Sequence, residues 1–311
     1  MRHTYEAAML LAARELGVVK SNADFWKNYP TKADFTDKLS DTSSWEDIER
    51  AAEKYVQTFD SAEDCETGIV CAYDKSRFPL INAKVTNKSE KPMLLGYRGD
   101  FSLLEELNKN IAAIGLIDPD DDIMSRGRSL VEEIMGSSGD EIRIVSGLAR
   151  GCDTVAHETC LKCSGKTIAI LPTPLNRIYP KENRALADEI VDRGGLLLTE
   201  YFDFDRQPGK FDAVKRFVDR DRLQAMFSKA VVLLASYDKG EGDSGSRHAM
   251  DAARKYGLAR YVMYNRKTDE NRREFGLNRR LLGEDAKIAT RSNIGILRGL
   301  KNPDLEMPVT L

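Results

Sequence analysis

From about residue 108 onward, short unbroken apolar runs alternate with stretches whose apolar positions recur every three to four residues. Residues 111–114, 142–145, 167–171, 196–199, 230–235 and 259–263 read as strands, and 122–135, 153–163, 182–192, 217–228 and 245–256 as helices. Strands that are apolar throughout are buried on both faces. Their alternation with helices predicts an α/β fold with a mostly parallel sheet and helices on both faces. Ligands of such sheets bind beyond the carboxyl ends of the strands, near the switch in strand order. Upstream the pattern changes. Residues 5–13 have helical spacing, Trp26, Tyr29 and Phe35 are candidate staples of a small helical module, and Ser44 with Asp47 predicts a capping box opening a helix to about Phe59. Residues 68–72 and 93–97 are two further apolar runs, separated by a connector carrying Pro79 and Pro92. The expected organisation is a small helical N-terminal domain over 1–65, the α/β domain over 66–299 and a tail over 300–311.

Charge adds a distribution rather than a total. The net charge is −3, but residues 1–70 carry 8 basic and 14 acidic residues. Residues 206–229 carry 7 basic and 3 acidic residues, and residues 254–280 carry 9 and 3. An acidic front and two basic stretches make either a phosphate-attracting face or ordinary solvated helix faces. No apolar run has the length of a membrane span, and the N-terminus lacks the regions of a signal peptide. A cytoplasmic protein with no membrane partner is therefore expected. The five cysteines (Cys65, Cys71, Cys152, Cys160 and Cys163) are odd in number and scattered, which speaks against a disulfide framework. Cys160 and Cys163 form a lone C-x-x-C. Without a second pair it reads as helix surface and core rather than as a metal or redox site.

The most informative loop is Ser146-Gly147-Leu148-Ala149-Arg150-Gly151-Cys152-Asp153, between a predicted strand and a predicted helix. Its glycines allow close backbone approach, Asp153 can cap the helix, and Arg150 supplies a mobile cation at a helix N-terminus. This is a phosphate-accepting loop or, alternatively, a tight turn with a surface arginine. It lacks Walker A spacing.

Ser146 through His157 reads S-G-L-A-R-G-x-D-x-x-A-H and resembles the hallmark of the DNA-processing protein A (DprA/Smf) family. Other stretches resemble the family's motifs in the same order: 92–100 (P-x-L-L-x-x-R-G-D), 165–169 (G-K-T-I-A), 175–183 (around I-Y-P-x-E-N), 194–201 (G-G-L-L-L), 217–223 (F-x-x-R-x-R), 244–246 (S-G-S) and 276–279. The similarity spans about residues 66–299. It implies an extended Rossmann-like domain that binds single-stranded DNA without chemistry on it, with no cofactor. Its implied partners are RecA, loaded on the strand during DNA uptake and recombination, and a second copy in a homodimer. Carried onto this chain, the DNA- or phosphate-binding set is Ser146, Gly147, Arg150, Gly151, Lys166, Phe217, Arg220, Arg222, Ser244, Gly245 and Ser246. Phe217 is either a base-stacking platform or a core residue.

The departures are specific. Where the family's first strand ends G-S-R this chain has Gly115-Leu116-Ile117, so the arginine that contacts DNA is replaced by Ile117. Acidic Asp118, Asp120, Asp121 and Asp122 follow, either a solvated loop or a Mg²⁺ candidate. Val218 and Asp221 stand where the family has proline and asparagine, and residues 300–311 are too few for the winged-helix-like module of many members. No catalytic set is evident: His157 reads as a structural histidine and His248 lacks a nucleophile partner in sequence. The competing function is a nucleotide sensor or a phosphoribohydrolase-like enzyme of the same superfamily, although the P-G-G-x-G-T-x-x-E signature of the latter is absent. A third reading makes the acidic N-terminal helices a recruitment module.

Overall fold

The computed structural model describes residues 3–40, 42–61, 67–79, 81–136, 142–204, 209–243 and 245–305; Cys65 and Ser244 lie outside this set. Four helices open the chain: α1 (Tyr5–Glu15), α2 (Asn22–Asn28), α3 (Lys32–Leu39) and α4 (Trp45–Ser61). Thr4 caps α1 by accepting the Ala7 N–H, and every residue from Ala7 to Ala13 is buried. A reciprocal capping box sits at Thr31 and Asp34, at the start of α3. The helix predicted after Ser44 forms as α4.

Two strands follow, β1 (Thr67–Cys71) and β2 (Leu94–Gly99), and they pair antiparallel. Leu10, Phe25, Phe35 and Ile48 of the helices share one hydrophobic cluster with Ile69, Met93 and Leu94. Trp26 Nε1 donates to the Lys91 carbonyl at 3.0 Å, tying this module to the connector before β2.

The remaining elements alternate as the pattern predicts: β3 (Asn110–Ile114), α5 (Asp121–Met135), β4 (Arg143–Ser146), α6 (Cys152–Lys162), β5 (Thr167–Leu171), α7 (Arg184–Asp192), β6 (Leu196–Thr199), α8 (Lys210–Met226), β7 (Ala230–Leu233), α9 (Arg247–Lys255), β8 (Ala259–Val262), α10 (Gly276–Leu282), β9 (Lys287–Ile288) and α11 (Arg291–Gly299). The nine strands form one sheet in the order β1-β2-β6-β5-β4-β3-β7-β8-β9. The pairings of β2 with β1 and with β6 are antiparallel, and the other six pairings are parallel. Strands β3 to β6 step one way across the sheet and β7 to β9 step the other. Right-handed crossovers then place α5 and α6 on one face and α9 on the other. The crevice of the doubly wound sheet opens where β3 separates β4 from β7.

Two predicted boundaries shift, and both matter for the site. Helix α8 begins at Lys210, with Gly209 as its N-cap, so Phe217, Arg220 and Arg222 lie in mid-helix rather than near its start. Helix α9 begins at Arg247, which leaves Gly245 and Ser246 in the loop before it. Among the described residues, no helix is long and apolar enough to cross a membrane.

Candidate phosphate and DNA interface

Loops after β3, β4 and β7 converge on a pocket of about 290 Å³ at the carboxyl ends of the strands. Its walls include Gly115, Ile117, Gly147, Arg150, Gly245 and Ser246 from those loops, Tyr179 from the loop after β5, and one face of α8. That face is Phe217, Arg220, Asp221 and Gln224, spaced i, i+3, i+4, i+7. Helical periodicity sends Arg222 elsewhere.

Arg220 is the centre of the pocket floor. It is 6% exposed, with Nη1 3.7 Å from Asp153 and Nε 3.2 Å from Asp221. The Nε contact is misaligned for a hydrogen bond. Gly147 leaves room for the guanidinium, since a Cβ there would fall 1.1 Å from Arg220 Nη1 and displace it. Gly151, with φ +71°, makes the turn into α6, and a Cβ on it would strike the Leu116 carbonyl at 2.5 Å. Burial raises the pKa of Asp153 and pushes Asp221 up to about 7, in both cases against the pull of Arg220. Gln224 Nε2 donates to Asp221 at 2.9 Å.

The loop amides are not all offered to a ligand. Asp153 folds back on its own loop and accepts the N–H of Gly147 at 3.1 Å and of Ala149 at 3.3 Å. Gly245 N–H is directed to Asp243 at 3.2 Å. Of the expected main-chain phosphate track, the amides of Gly147 and Gly245 are held by side-chain carboxylates in this structure. Ser146 is buried and donates to the Ala113 carbonyl at 2.7 Å; Ser246 Oγ lines the pocket and donates to Gly115 O at 3.1 Å.

Two further expectations are corrected. Lys166 immediately precedes β5 and therefore lies at the amino end of the sheet, opposite the pocket, where it pairs with Asp100 at 3.2 Å. Arg222 projects from the other side of α8 into a groove with Glu200, which it pairs at 2.6 Å, while its Nε donates to the Glu90 carbonyl at 2.9 Å. The sites that remain together are Gly147, Arg150, Phe217, Arg220, Gly245 and Ser246 in the pocket wall, with Ser146 and Gly151 framing the β4 loop. Arg150 is exposed at the mouth. Phe217 is half-buried and meets Tyr179 edge-on, centroids 5.7 Å apart. Tyr179, 52% exposed, is a rim residue that the sequence reading passed over within its I-Y-P motif.

The basic stretch 254–280 is largely consumed by ion pairs. Arg272 holds Asp120 and Asp122 at 2.6 Å each, Arg260 pairs with Glu284 and Asp285, and Arg280 reaches Asp238 at 2.9 Å. Two carboxylates of the acidic run, Asp120 and Asp122, are thereby paired with arginine. His157 is fully buried, its pKa pushed down to about 3 by burial. Thr167 Oγ1 donates to the Ile144 carbonyl at 2.8 Å, so it accepts from His157 Nδ1–H at 2.7 Å, a structural clamp between α6 and β5. His248 lines the groove of Arg222, not the pocket. Cys160 donates its thiol to the Lys166 carbonyl, and Cys160 and Cys163 are free thiols.

Comparison with known proteins agrees with this fold. The sequence model of the DNA recombination-mediator protein A family matches residues 70–296. DNA processing protein DprA of Streptococcus pneumoniae is 36% identical over 144 residues, 46% of this chain and 47% of that protein. Protein Smf of Synechocystis is 38% identical over 115 residues, 37% of this chain and 27% of that one. The matched segment thus spans about half or less of these relatives' length. The fold superposes on the S. pneumoniae DNA processing protein A structure with TM-score 0.62 over 93% of this chain and 92% of that one, at 22% identity. DNA processing protein A of Helicobacter pylori, described for its single-stranded DNA binding mode, gives TM-score 0.58 at 27% identity, covering 74% of this chain and 95% of that one.

Proposed function

Because the chain belongs to the DNA recombination-mediator protein A family, we propose that it binds single-stranded DNA at the carboxyl ends of β3, β4 and β7 and performs no chemistry on it. The observation that carries this reading is the mouth of the pocket. An exposed Arg150 stands there beside two aromatic rings, Tyr179 and half-buried Phe217. A cation beside stacking surfaces is what a sequence-tolerant strand binder needs, phosphates for affinity and ring faces for bases. Loading of a RecA-type recombinase on the bound strand, and action as a homodimer, belong to the same proposal and follow from the family alone.

The test is a titration with labelled oligo-dT over a range of salt. Arg150→Ala is expected to weaken binding about three- to tenfold at low salt and to flatten the salt slope by about 0.7, one single-strand phosphate contact. An affinity indifferent to ionic strength overturns the reading. One observation favours a second reading, a nucleotide enzyme: Asp221, in the pocket floor, titrates near neutrality as acid–base groups do. Release of free base from nucleoside monophosphates, lost in Asp221→Asn, would establish it.

A further inference from the structure

The Asp243 carboxylate spans the crevice between the β3 and β7 loops. Its Oδ2 accepts the Ile117 N–H at 3.3 Å and its Oδ1 the Gly245 N–H at 3.2 Å. The loop is shaped to deliver it. Gly242 has φ +157° and packs on the Tyr237 ring where a Cβ would sit 2.7 Å away. Ser236 Oγ shares its one proton between the Tyr237 carbonyl at 3.1 Å and the Asp243 carbonyl at 3.4 Å, and Arg273 donates to the Glu241 carbonyl at 2.7 Å.

The same pocket has a buried donor still in need of a partner. Arg220, 6% exposed, lines it, and its Nε, although 3.2 Å from Asp221, makes no hydrogen bond among the described residues. Buried polar atoms left in this state cost stability and are satisfied by a ligand or water. A built pocket with unmet hydrogen-bonding capacity therefore holds an internal anion on two of its amides, beside the start of α9, where backbone N–H groups favour negative charge.

We propose that Asp243 occupies the phosphate seat of this pocket, so that a backbone phosphate of a bound strand enters by displacing the carboxylate. The proposal rests on the DNA reading above and adds a residue that sets affinity and holds the free protein in a weak-binding state. Carboxylate and phosphate oxygens accept the same two N–H groups, so they compete directly. Removing the carboxylate also lowers repulsion, and a control charge must separate the two effects.

Wild type, Asp243→Asn, Asp243→Ala and Asp121→Asn, the last an exposed carboxylate in the first turn of α5, are titrated with labelled oligo-dT at three salt concentrations. Thermal shift with pyrophosphate is measured in parallel. Both Asp243 variants are expected to bind about five- to tenfold tighter at the lowest salt, with a salt slope steeper by about 0.7 from one more phosphate contact. Asp121→Asn should change affinity less than about twofold, because screened surface charge is weak. Wild-type DNA binding with no gain in the Asp243 variants, or an equal gain in Asp121→Asn, overturns the proposal and leaves the DNA reading standing. No DNA binding by any form, with pyrophosphate stabilising only the Asp243 variants, overturns the DNA reading and keeps the phosphate seat. Silence in both assays ends both.

Discussion

Arg220→Met is expected to destabilise the protein by about 3–5 kcal/mol, the loss typical when one partner of a buried ion pair is removed. Methionine retains much of the arginine's apolar stem, so the loss measures charge more than volume. What remains are Asp153 and Asp221, both buried in the pocket floor and both already displaced by burial toward their neutral forms. Without the guanidinium, only the backbone N–H groups of Gly147 and Ala149 at Asp153 and the Gln224 amide at Asp221 oppose that displacement, and the two carboxyls tend to fold protonated. The destabilisation should therefore be larger at pH 8 than at pH 5. Arg220→Lys should recover little of it, because an ammonium is a point charge. Arg220 reaches Asp153 through Nη1 and Asp221 through Nε, and also touches the Ile170 carbonyl at 3.4 Å. Urea unfolding followed by fluorescence and by far-ultraviolet circular dichroism gives the measurement, and agreement of the two probes licenses a single free energy. A loss below about 1 kcal/mol, independent of pH, would show that the two aspartates do not depend on this cation.

The sheet was legible because parallel strands covered on both faces must be apolar at every position. The six runs between 111 and 263 appear as β3 to β8 for that reason. Strand order was not legible, since pairing is decided by crossover packing that no local pattern encodes. Elements α10, β9 and α11 were missed; β9 has two residues, and α10 is placed by a buried side chain rather than by an apolar stripe. Asn278 of α10 donates to the carbonyls of Met263 and Leu234 and accepts the Ser236 N–H, clamping the ends of β7 and β8. In the site, glycine spacing located the β4 loop. The direction of the carboxylates of Asp153 and Asp243 was invisible, because either could as well face solvent. The position of Lys166 could have been read correctly: a residue that directly precedes a parallel strand lies at the sheet's amino end. Tyr179 likewise follows β5 in sequence and so had to fall on the carboxyl side. Arg220 and Arg222, two apart, cannot share a helix face once α8 extends back to Lys210.

Asp221→Asn is expected to raise stability at pH 8 and to leave it nearly unchanged at pH 4. The sign follows from proton counting. The Asp221 carboxyl has an ordinary value of 3.8 and is raised to about 7 in the folded protein, mainly by burial. Between those values the native state binds more protons than the unfolded chain. Stability contributed by this group is therefore full below pH 4, falls as pH rises toward 7, and is flat above it. At about 1.36 kcal/mol per pKa unit the span is at most about 4 kcal/mol. Asp153, raised for the same reason, adds to the same trend. Asp122, Asp269 and Glu106 act in the opposite sense, since their pairing with arginine or lysine lowers their values and stabilises the fold above pH 4. The pH dependence of wild type alone mixes both trends. The difference between wild type and Asp221→Asn isolates one carboxyl, because asparagine keeps the shape and an oxygen for the Gln224 amide to donate to. Thermal midpoints at pH 5, 6, 7 and 8 should diverge progressively, with the variant higher by several degrees at pH 8. A constant offset across that range would mean that Asp221 is ionised throughout and that Arg220 fully offsets its burial. The preference for asparagine in the F-P-x-R-N-R motif that this segment resembles is what the first outcome explains: an amide beside a buried guanidinium carries no desolvated charge.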